Sequence, residues 1–175
     1  MKRCIFGRVA ATEIELAALG KIVHASWIAI PSHFAHVNLH AFVIMPNHVH
    51  GIIEIGCQAG AQHAAPLQGM RPSEGRQQNV QAGSLSAVVR SFKAAVTRRA
   101  SNELSWEGEI WQRNYYERVV RNGEEFSDAS RYIAENPLKW EWDRENPKTK
   151  QVLTTEVNGA QHAAPLQTKT APWNS

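Results

Sequence analysis

Two histidines, His48 and His50, stand one residue apart in a run of apolar residues. Successive side chains of a β-strand point to opposite faces, so in a strand both imidazoles lie on one face and Val49 lies on the other. Neutral imidazole is a common ligand for divalent metals. The spacing therefore allows metal binding, although an isolated His-x-His pair is also frequent among ordinary core and surface histidines.

Tyr132 and Asn136 form a second pair of residues whose side chains could take part in catalysis. They are four residues apart at the end of a predicted helix, so they share one helix face. A phenol can act as a nucleophile, and an amide oxygen can bind a metal. In the alternative interpretation, the tyrosine covers the edge of the core and the asparagine hydrogen-bonds the backbone near Pro137. The residue types alone leave both interpretations open.

Basic residues are concentrated in the second half of the chain. The formal net charge is +3, from 19 Lys and Arg against 16 Asp and Glu. Residues 85–99, a predicted helix, contain basic residues and no acid. Phosphate groups are the expected partner of such a cluster, and a solvated basic face is the alternative. The candidates for DNA contact are Arg90, Lys93, Arg98, Arg113 and Arg121.

The histidine pair should lie in a β-hairpin. Runs of β-forming residues at 37–45 and 48–55 are separated only by Pro46-Asn47, which is typical of two antiparallel strands and a tight turn. Both runs are apolar at most positions, so we expect this hairpin inside a sheet and not at a solvated edge.

The remaining elements are predicted from apolar periodicity and capping residues. Residues 4–19 predict a short hairpin that leads into a helix, and residues 19–30 have helical spacing up to Pro31. Ser84 is a candidate N-cap for the basic helix. A strand is predicted at residues 110–120. The last predicted helix opens at a capping box, Asn122 with Glu125, and ends at Asn136-Pro137.

Composition divides the chain into one domain and two low-complexity stretches. We predict a single domain over residues 1–142, with a low-complexity insertion at 56–83 and a polar, disordered tail at 143–175. The peptide Gly-Ala-Gln-His-Ala-Ala-Pro-Leu-Gln occurs at 60–68 and again at 159–167. Suitable synonymous codons write its first residues as a perfect inverted repeat of DNA. An inserted palindromic DNA element and a duplicated linker are both open as its origin.

No run of about 18 apolar residues predicts a membrane span, and the N-terminus lacks the apolar stretch of a secretory signal. The two cysteines, Cys4 and Cys57, have neither a zinc-binding spacing nor the number needed for a disulfide framework. We therefore expect a soluble cytoplasmic protein.

Four motifs in order resemble the REP-associated tyrosine transposases, a group of the single-tyrosine HUH endonuclease superfamily. They are FVIMPNHVHGIIEI, SLSAVVRSFKAAVT, IWQRNYYERVVRN and RYIAENPLKW, and together they extend over most of the chain. The resemblance implies an α/β (α+β) fold with a ferredoxin-like antiparallel sheet and helices. Such relatives begin with a central strand that has no counterpart before Cys4, so we expect a sheet without its N-terminal strand.

The resemblance also implies a function. Tyr132 matches the nucleophile, and His48, His50 and Asn136 match the ligands of a divalent ion, Mg²⁺ or Mn²⁺. The expected reaction is nicking and strand transfer of single-stranded DNA beside a hairpin, through a 5′-phosphotyrosine intermediate. The expected partner is single-stranded DNA with hairpin structure, and related enzymes occur as monomers and as homodimers. Two alternatives remain: an inactive DNA-hairpin-binding remnant, and a small metalloenzyme of other chemistry.

Overall fold

The computed structural model describes residues 3–11, 13–56, 83–147 and 149. They form an α+β protein, as predicted, in which every strand pairing is antiparallel. The strands are β1 (Gly7–Ala10), β2 (Glu13–Leu16), β3 (Val37–Ile44) and β4 (Val49–Ile55). The helices are α1 (Ala18–Ile28), α2 (Ile30–His33), α3 (Leu85–Leu104) and α4 (Gly123–Glu135), followed by a 3₁₀ helix (Pro137–Trp142).

The strands form two separate two-stranded sheets in the described part of the chain. β1 and β2 make the predicted N-terminal hairpin. β3 and β4 make the predicted central hairpin, in which Val43 pairs with His50 and Ile44 with Val49. The register shifts between Leu39 and Phe42, where two residues of β3 oppose one residue of β4. Such a bulge bends the strand and strengthens its twist.

One face of the β3–β4 sheet packs on the hydrophobic core. Trp27 of α1 stacks on Phe42, with ring centroids 5.7 Å apart, and meets the ring of Phe92 of α3 edge-on at 5.3 Å. Gly51 lies directly under Trp27. A Cβ at that position would stand only 2.3 Å from the indole, so the close approach requires glycine. Helices α1 and α3 therefore share the apolar side of the sheet.

The opposite face of the sheet is covered by α4. Phe126 of α4 meets the ring of His40 edge-on at 5.1 Å, and Tyr132 meets the ring of His50 at 5.6 Å. Both faces of the hairpin are thus covered by helices. This explains the apolar runs of both strands, and it corrects the expectation that the hairpin lies inside a wider sheet: in the described residues it has two strands.

The two predicted N-cap residues are confirmed, but the Glu125 carboxylate accepts its hydrogen bond from the Arg121 N–H and does not complete the capping box. The Ser84 side chain accepts a hydrogen bond from the Ala87 N–H, and the Asn122 side chain accepts one from the Glu125 N–H at 2.8 Å. Pro31 does not end the helical region as expected. α1 ends at Ile28, and Pro31 occupies the first turn of the short helix α2, where its missing N–H is not needed.

The strand predicted at residues 110–120 is wrong. This segment has no ladder partner among the described residues and is held to α3 by side chains instead. The Trp111 indole N–H donates to the Lys93 carbonyl at 3.1 Å, and the Lys93 ammonium donates to the Gln112 carbonyl at 3.0 Å. The Tyr115 hydroxyl lies 3.1 Å from that of Ser86.

The fold continues past Trp142, where the polar tail was expected to begin. Asn146 is buried, and its side-chain amide donates to the Trp140 carbonyl at 2.9 Å. Residues 57–82 and 151–175, with both copies of the repeated peptide, lie outside the described residues. None of the described helices combines the length and apolar character that a membrane crossing requires.

Candidate active site

His48, immediately before β4, and His50 of β4 face each other on the side of the sheet that α4 covers. The Nε2 atoms of His48 and His50 are 2.9 Å apart, and the rings stand nearly perpendicular, at 89°. Strand alternation places both rings on one face, as predicted. Val49 points to the other face, where it packs against the core.

The distance between the two nitrogens suits a shared metal ligand set. A metal with bonds of about 2.1 Å and octahedral geometry places adjacent ligand atoms roughly 3 Å apart. The Nε2 atoms of His48 and His50 match this spacing at 2.9 Å. A site with two imidazoles and additional oxygen ligands suits Mn²⁺. Mg²⁺ prefers a larger share of oxygen ligands.

Asn47, immediately before the pair, contacts both the site and the end of the fold. Its Oδ1 lies 2.7 Å from His48 Nδ1, and its Nδ2 donates to the Glu145 carbonyl at 2.7 Å. The residue therefore connects the turn before β4 with the segment that follows the 3₁₀ helix. Sequence reasoning assigned Asn47 only to the turn.

Helix α4 places Tyr132 against the histidine pair. The Tyr132 ring meets His50 edge-on, with centroids 5.6 Å apart at an angle of 82°. The side chain is half-buried. This ring contact joins the tyrosine of the last helix to the histidine pair.

Asn136 lies between two aromatic residues that each contact a histidine. One turn before it, Tyr132 packs on His50, and four residues after it the ring of Trp140 lies 6.1 Å from that of His48. Asn136 keeps helical backbone angles, φ −56° and ψ −43°, despite the proline that follows it. It therefore stays on the helix face of Tyr132, as predicted.

The Asn136 side chain is buried and incompletely satisfied. It is 3% exposed, and its Nδ2 has no hydrogen-bond partner among the described residues. A buried polar atom without a partner costs about 1–3 kcal/mol. The two ends of an amide are nearly indistinguishable by shape, so a rotated side chain presents its oxygen at the same position. The chemistry of this buried amide is therefore compatible with the role of third metal ligand that the resemblance implies.

The predicted DNA-binding residues are not gathered at this site. Arg90 and Arg98 are exposed on α3, which lies with α1 on the other side of the β3–β4 sheet. The Lys93 ammonium is engaged by the Gln112 carbonyl and lies 5.8 Å from the ring centres of both Trp111 and Tyr115. Burial lowers the pKa of Lys93.

Arg113 and Arg121 belong to the irregular segment between α3 and α4. Both are exposed, and the backbone N–H of Arg121 donates to the Glu125 carboxylate at 3.2 Å. Arg121 immediately precedes the cap of the helix that carries Tyr132. Of the five predicted basic residues, it is therefore the one nearest along the chain to the candidate nucleophile.

Trp140 is a site residue that sequence reasoning missed. It is buried, and its ring contacts His48. Its spacing of four residues from Asn136 and eight from Tyr132 was the available signal. This helical spacing was not used, because Pro137 predicted that the helix ends there. The chain instead continues as a 3₁₀ helix.

A second polar pair lies on the same sheet face, away from the candidate site. His40 Nε2 donates to Glu54 at 2.8 Å, and the Asn38 amide also points at this carboxylate at 3.5 Å. The hydrogen bond from His40, followed by that from Asn38, lowers the pKa of Glu54. His40 is therefore already engaged by a carboxylate.

Comparison with known proteins identifies one relative. The chain is 38% identical over 148 residues to a protein of Haemophilus influenzae described as an uncharacterized protein. The match covers 82% of this chain and 78% of the relative. No family model matches the chain, and no solved structure matches it.

Proposed function

We propose that this chain, which belongs to the same family as the Haemophilus influenzae protein, is a metal-dependent transposase-type nickase of single-stranded DNA at hairpin or REP-like elements. The observation that supports this most is the contact between the Tyr132 ring and His50 of the paired histidines. A nucleophile of suitable chemistry thus lies beside a ligand pair of suitable geometry. The order of the four sequence motifs supports the same proposal.

In the proposed reaction the Tyr132 oxygen attacks the scissile phosphorus. The bond from phosphorus to the 3′-oxygen breaks, the phenol loses its proton and the departing 3′-oxygen gains one. The 5′ end of the DNA remains attached as a phosphotyrosine ester, which conserves the energy of the broken bond. Attack by another 3′-hydroxyl reverses the step and joins two strands.

His48, His50 and Asn136 are the residues that would hold the metal ion. Bound Mg²⁺ or Mn²⁺ supplies positive charge that polarises the phosphate and stabilises its oxygens as negative charge builds up. The contact with His50 orients the phenol, and the Trp140 ring packs beside His48. The exposed arginines, Arg121 among them, supply sequence-independent attraction for the phosphate backbone.

The test is covalent capture of labelled DNA. The full chain is incubated with a 5′- or 3′-labelled single-stranded hairpin oligonucleotide and Mn²⁺, and the products are separated on a denaturing gel. The proposal predicts a protein–DNA adduct that carries the label on the 3′ side of the nick. Tyr132→Phe removes only the hydroxyl, so it should abolish the adduct and leave the fold unchanged.

Tyr116→Phe is the matched control, because Tyr116 is 74% exposed and distant in sequence from the histidine pair. It should form the adduct as the parent does. An adduct that persists in Tyr132→Phe contradicts the assignment of the nucleophile. Hairpin binding that is independent of metal and gives no adduct supports instead a DNA-binding protein without nicking activity.

A further inference from the structure

We propose that Asn47 is a positioning residue that selects the metal-binding tautomer of His48 and anchors it to the segment behind the nucleophile helix. The proposal rests on the proposed function, because it assumes that His48 binds a metal ion. The assignment of the tautomer rests on the contacts of Asn47. Asn47 is the one residue of the turn whose side chain contacts both His48 and Glu145. Each contact is 2.7 Å long, which is short for a neutral hydrogen bond.

The orientation of the Asn47 amide follows from its two partners. The Glu145 carbonyl is a pure acceptor, so the atom of Asn47 that faces it must be the NH₂ group. The oxygen of the same amide then faces His48 Nδ1. A rotated amide would set an oxygen against the carbonyl oxygen and lose this hydrogen bond.

The tautomer of His48 follows from the orientation of Asn47. The amide oxygen only accepts, so His48 Nδ1 must carry a hydrogen and donate it. In the neutral ring, Nε2 is then the acceptor nitrogen, and it lies 2.9 Å from His50 Nε2. Such hydrogen bonds to the second ring nitrogen orient histidine ligands in metal sites and fix their tautomer.

The same network determines the proton on His50 in the metal-free protein. The 2.9 Å contact between the two Nε2 atoms requires one hydrogen. His48 Nε2 does not carry it, so His50 Nε2 donates it. The metal-free pair is therefore asymmetric: His48 already has the ligand tautomer, and His50 must shift its proton to Nδ1 when a metal binds.

The contact with Glu145 connects Asn47 to the chain that follows the 3₁₀ helix. Glu145 immediately precedes the buried Asn146, whose amide donates to the Trp140 carbonyl. Trp140 in turn contacts the His48 ring. Asn47 therefore closes a loop of contacts that includes His48 and the chain immediately after the nucleophile helix.

The test uses imidazole nitrogen chemical shifts and Mn²⁺ titration of the metal-free full chain, at mildly alkaline pH where imidazoles are neutral. The parent should show His48 protonated at Nδ1 and His50 protonated at Nε2. Asn47→Ala should give mixed tautomers at His48 and a Mn²⁺ affinity about ten- to a hundredfold weaker.

Asn47→Asp retains an acceptor for His48 Nδ1 and loses the donor to Glu145. It should therefore keep the His48 tautomer and recover most of the Mn²⁺ affinity. Asn38→Ala is the control, because Asn38 is on the same sheet but contacts Glu54; it should behave as the parent.

His48 protonated at Nε2 in the parent overturns the proposal, and so does an Asn47→Asp variant that binds Mn²⁺ as weakly as Asn47→Ala. Neither readout depends on DNA. Failure of Tyr132 to form an adduct would therefore refute the proposed nicking activity and leave the role of Asn47 to be judged by these two measurements.

Discussion

Three histidines share one face of the β3–β4 sheet, and their surroundings distinguish them. His40 donates to Glu54 and packs on Phe126, so its ring is occupied by protein partners. His48 and His50 instead bring their Nε2 atoms to 2.9 Å from each other, beside a tyrosine. The Nε2 atoms of the pair can bind one ion together, whereas the Nε2 atom of His40 is engaged by the Glu54 carboxylate.

This difference predicts that alanine substitutions at His50 and at His40 affect Mn²⁺ binding differently. His50→Ala should weaken Mn²⁺ binding by at least roughly tenfold, because it removes a direct ligand where even an indirect partner contributes that much. The binding can be measured by isothermal titration calorimetry on the metal-free protein. His40→Ala serves as the control and should bind Mn²⁺ as the parent does. Equal losses in the two variants would indicate that the ion binds elsewhere on the sheet.

The three tyrosines also differ in what their hydroxyls and rings contact. Tyr115 is fixed against α3 by Ser86 and by the ammonium of Lys93. Tyr116 is 74% exposed, in the irregular segment before α4. Tyr132 is half-buried against His50. The assignment of the nucleophile thus rests on a contact as well as on a motif.

At the scale of elements, the position of the histidine pair depends on how closely α1 approaches β4. Gly51, next to His50, allows the Trp27 indole to lie on the strand backbone. Gly51→Ala would push a methyl group into that ring, so we predict a loss of about 1–3 kcal/mol in the free energy of unfolding. Urea denaturation measures this change.

Gly123→Ala is the matched control for that substitution. A Cβ at Gly123, the first residue of α4, meets no atom within 4 Å. Alanine in a helix is favoured over glycine by roughly 0.5–1 kcal/mol, so this variant should be as stable as the parent or more stable. Similar destabilisation in both variants would contradict the packing of Trp27 on Gly51.

Local signals in the sequence predicted the elements that carry the site. Alternation in the predicted strand at residues 48–55 placed His48 and His50 on one face, and the cap at Asn122 marked the start of the helix that carries Tyr132. The predicted strand at 110–120 failed because its β-forming residues, such as Trp111 and Tyr115, pack on α3 through side chains. A strand requires an open edge to pair with, and periodicity contains no information about that.

At the scale of the whole molecule, the β3–β4 sheet separates the candidate site from the basic helix. Helices α1 and α3 pack on one face, and α4 with Tyr132 covers the other. Charge counting along the sequence made Arg90 and Arg98 candidates for DNA contact, but it cannot assign a residue to a side of a sheet. Their contribution to DNA binding is therefore expected to be general attraction of the phosphate backbone.

The repeated peptide yields a prediction about the whole gene. If a palindromic DNA element was inserted in frame, both copies should be encoded by GGG-GCG-CAG-CAT-GCT-GCG-CCC followed by the C of the leucine codon. This string is its own reverse complement. Sequencing the segments for residues 60–67 and 159–166 tests it. Synonymous codons that break the complementarity in either copy would favour a duplicated linker.

The central claim is that Tyr132 becomes covalently attached to DNA, and peptide mapping of the adduct tests it most directly. After reaction with a single-stranded hairpin and Mn²⁺, the complex is digested with nuclease and trypsin and analysed by mass spectrometry. Cleavage after Arg131 and Lys139 yields a peptide with Tyr132, and cleavage after Arg113 and Arg118 yields one with the other two tyrosines. We predict a nucleotide remnant on the Tyr132 peptide. A remnant on the other peptide, or on neither, would contradict the claim.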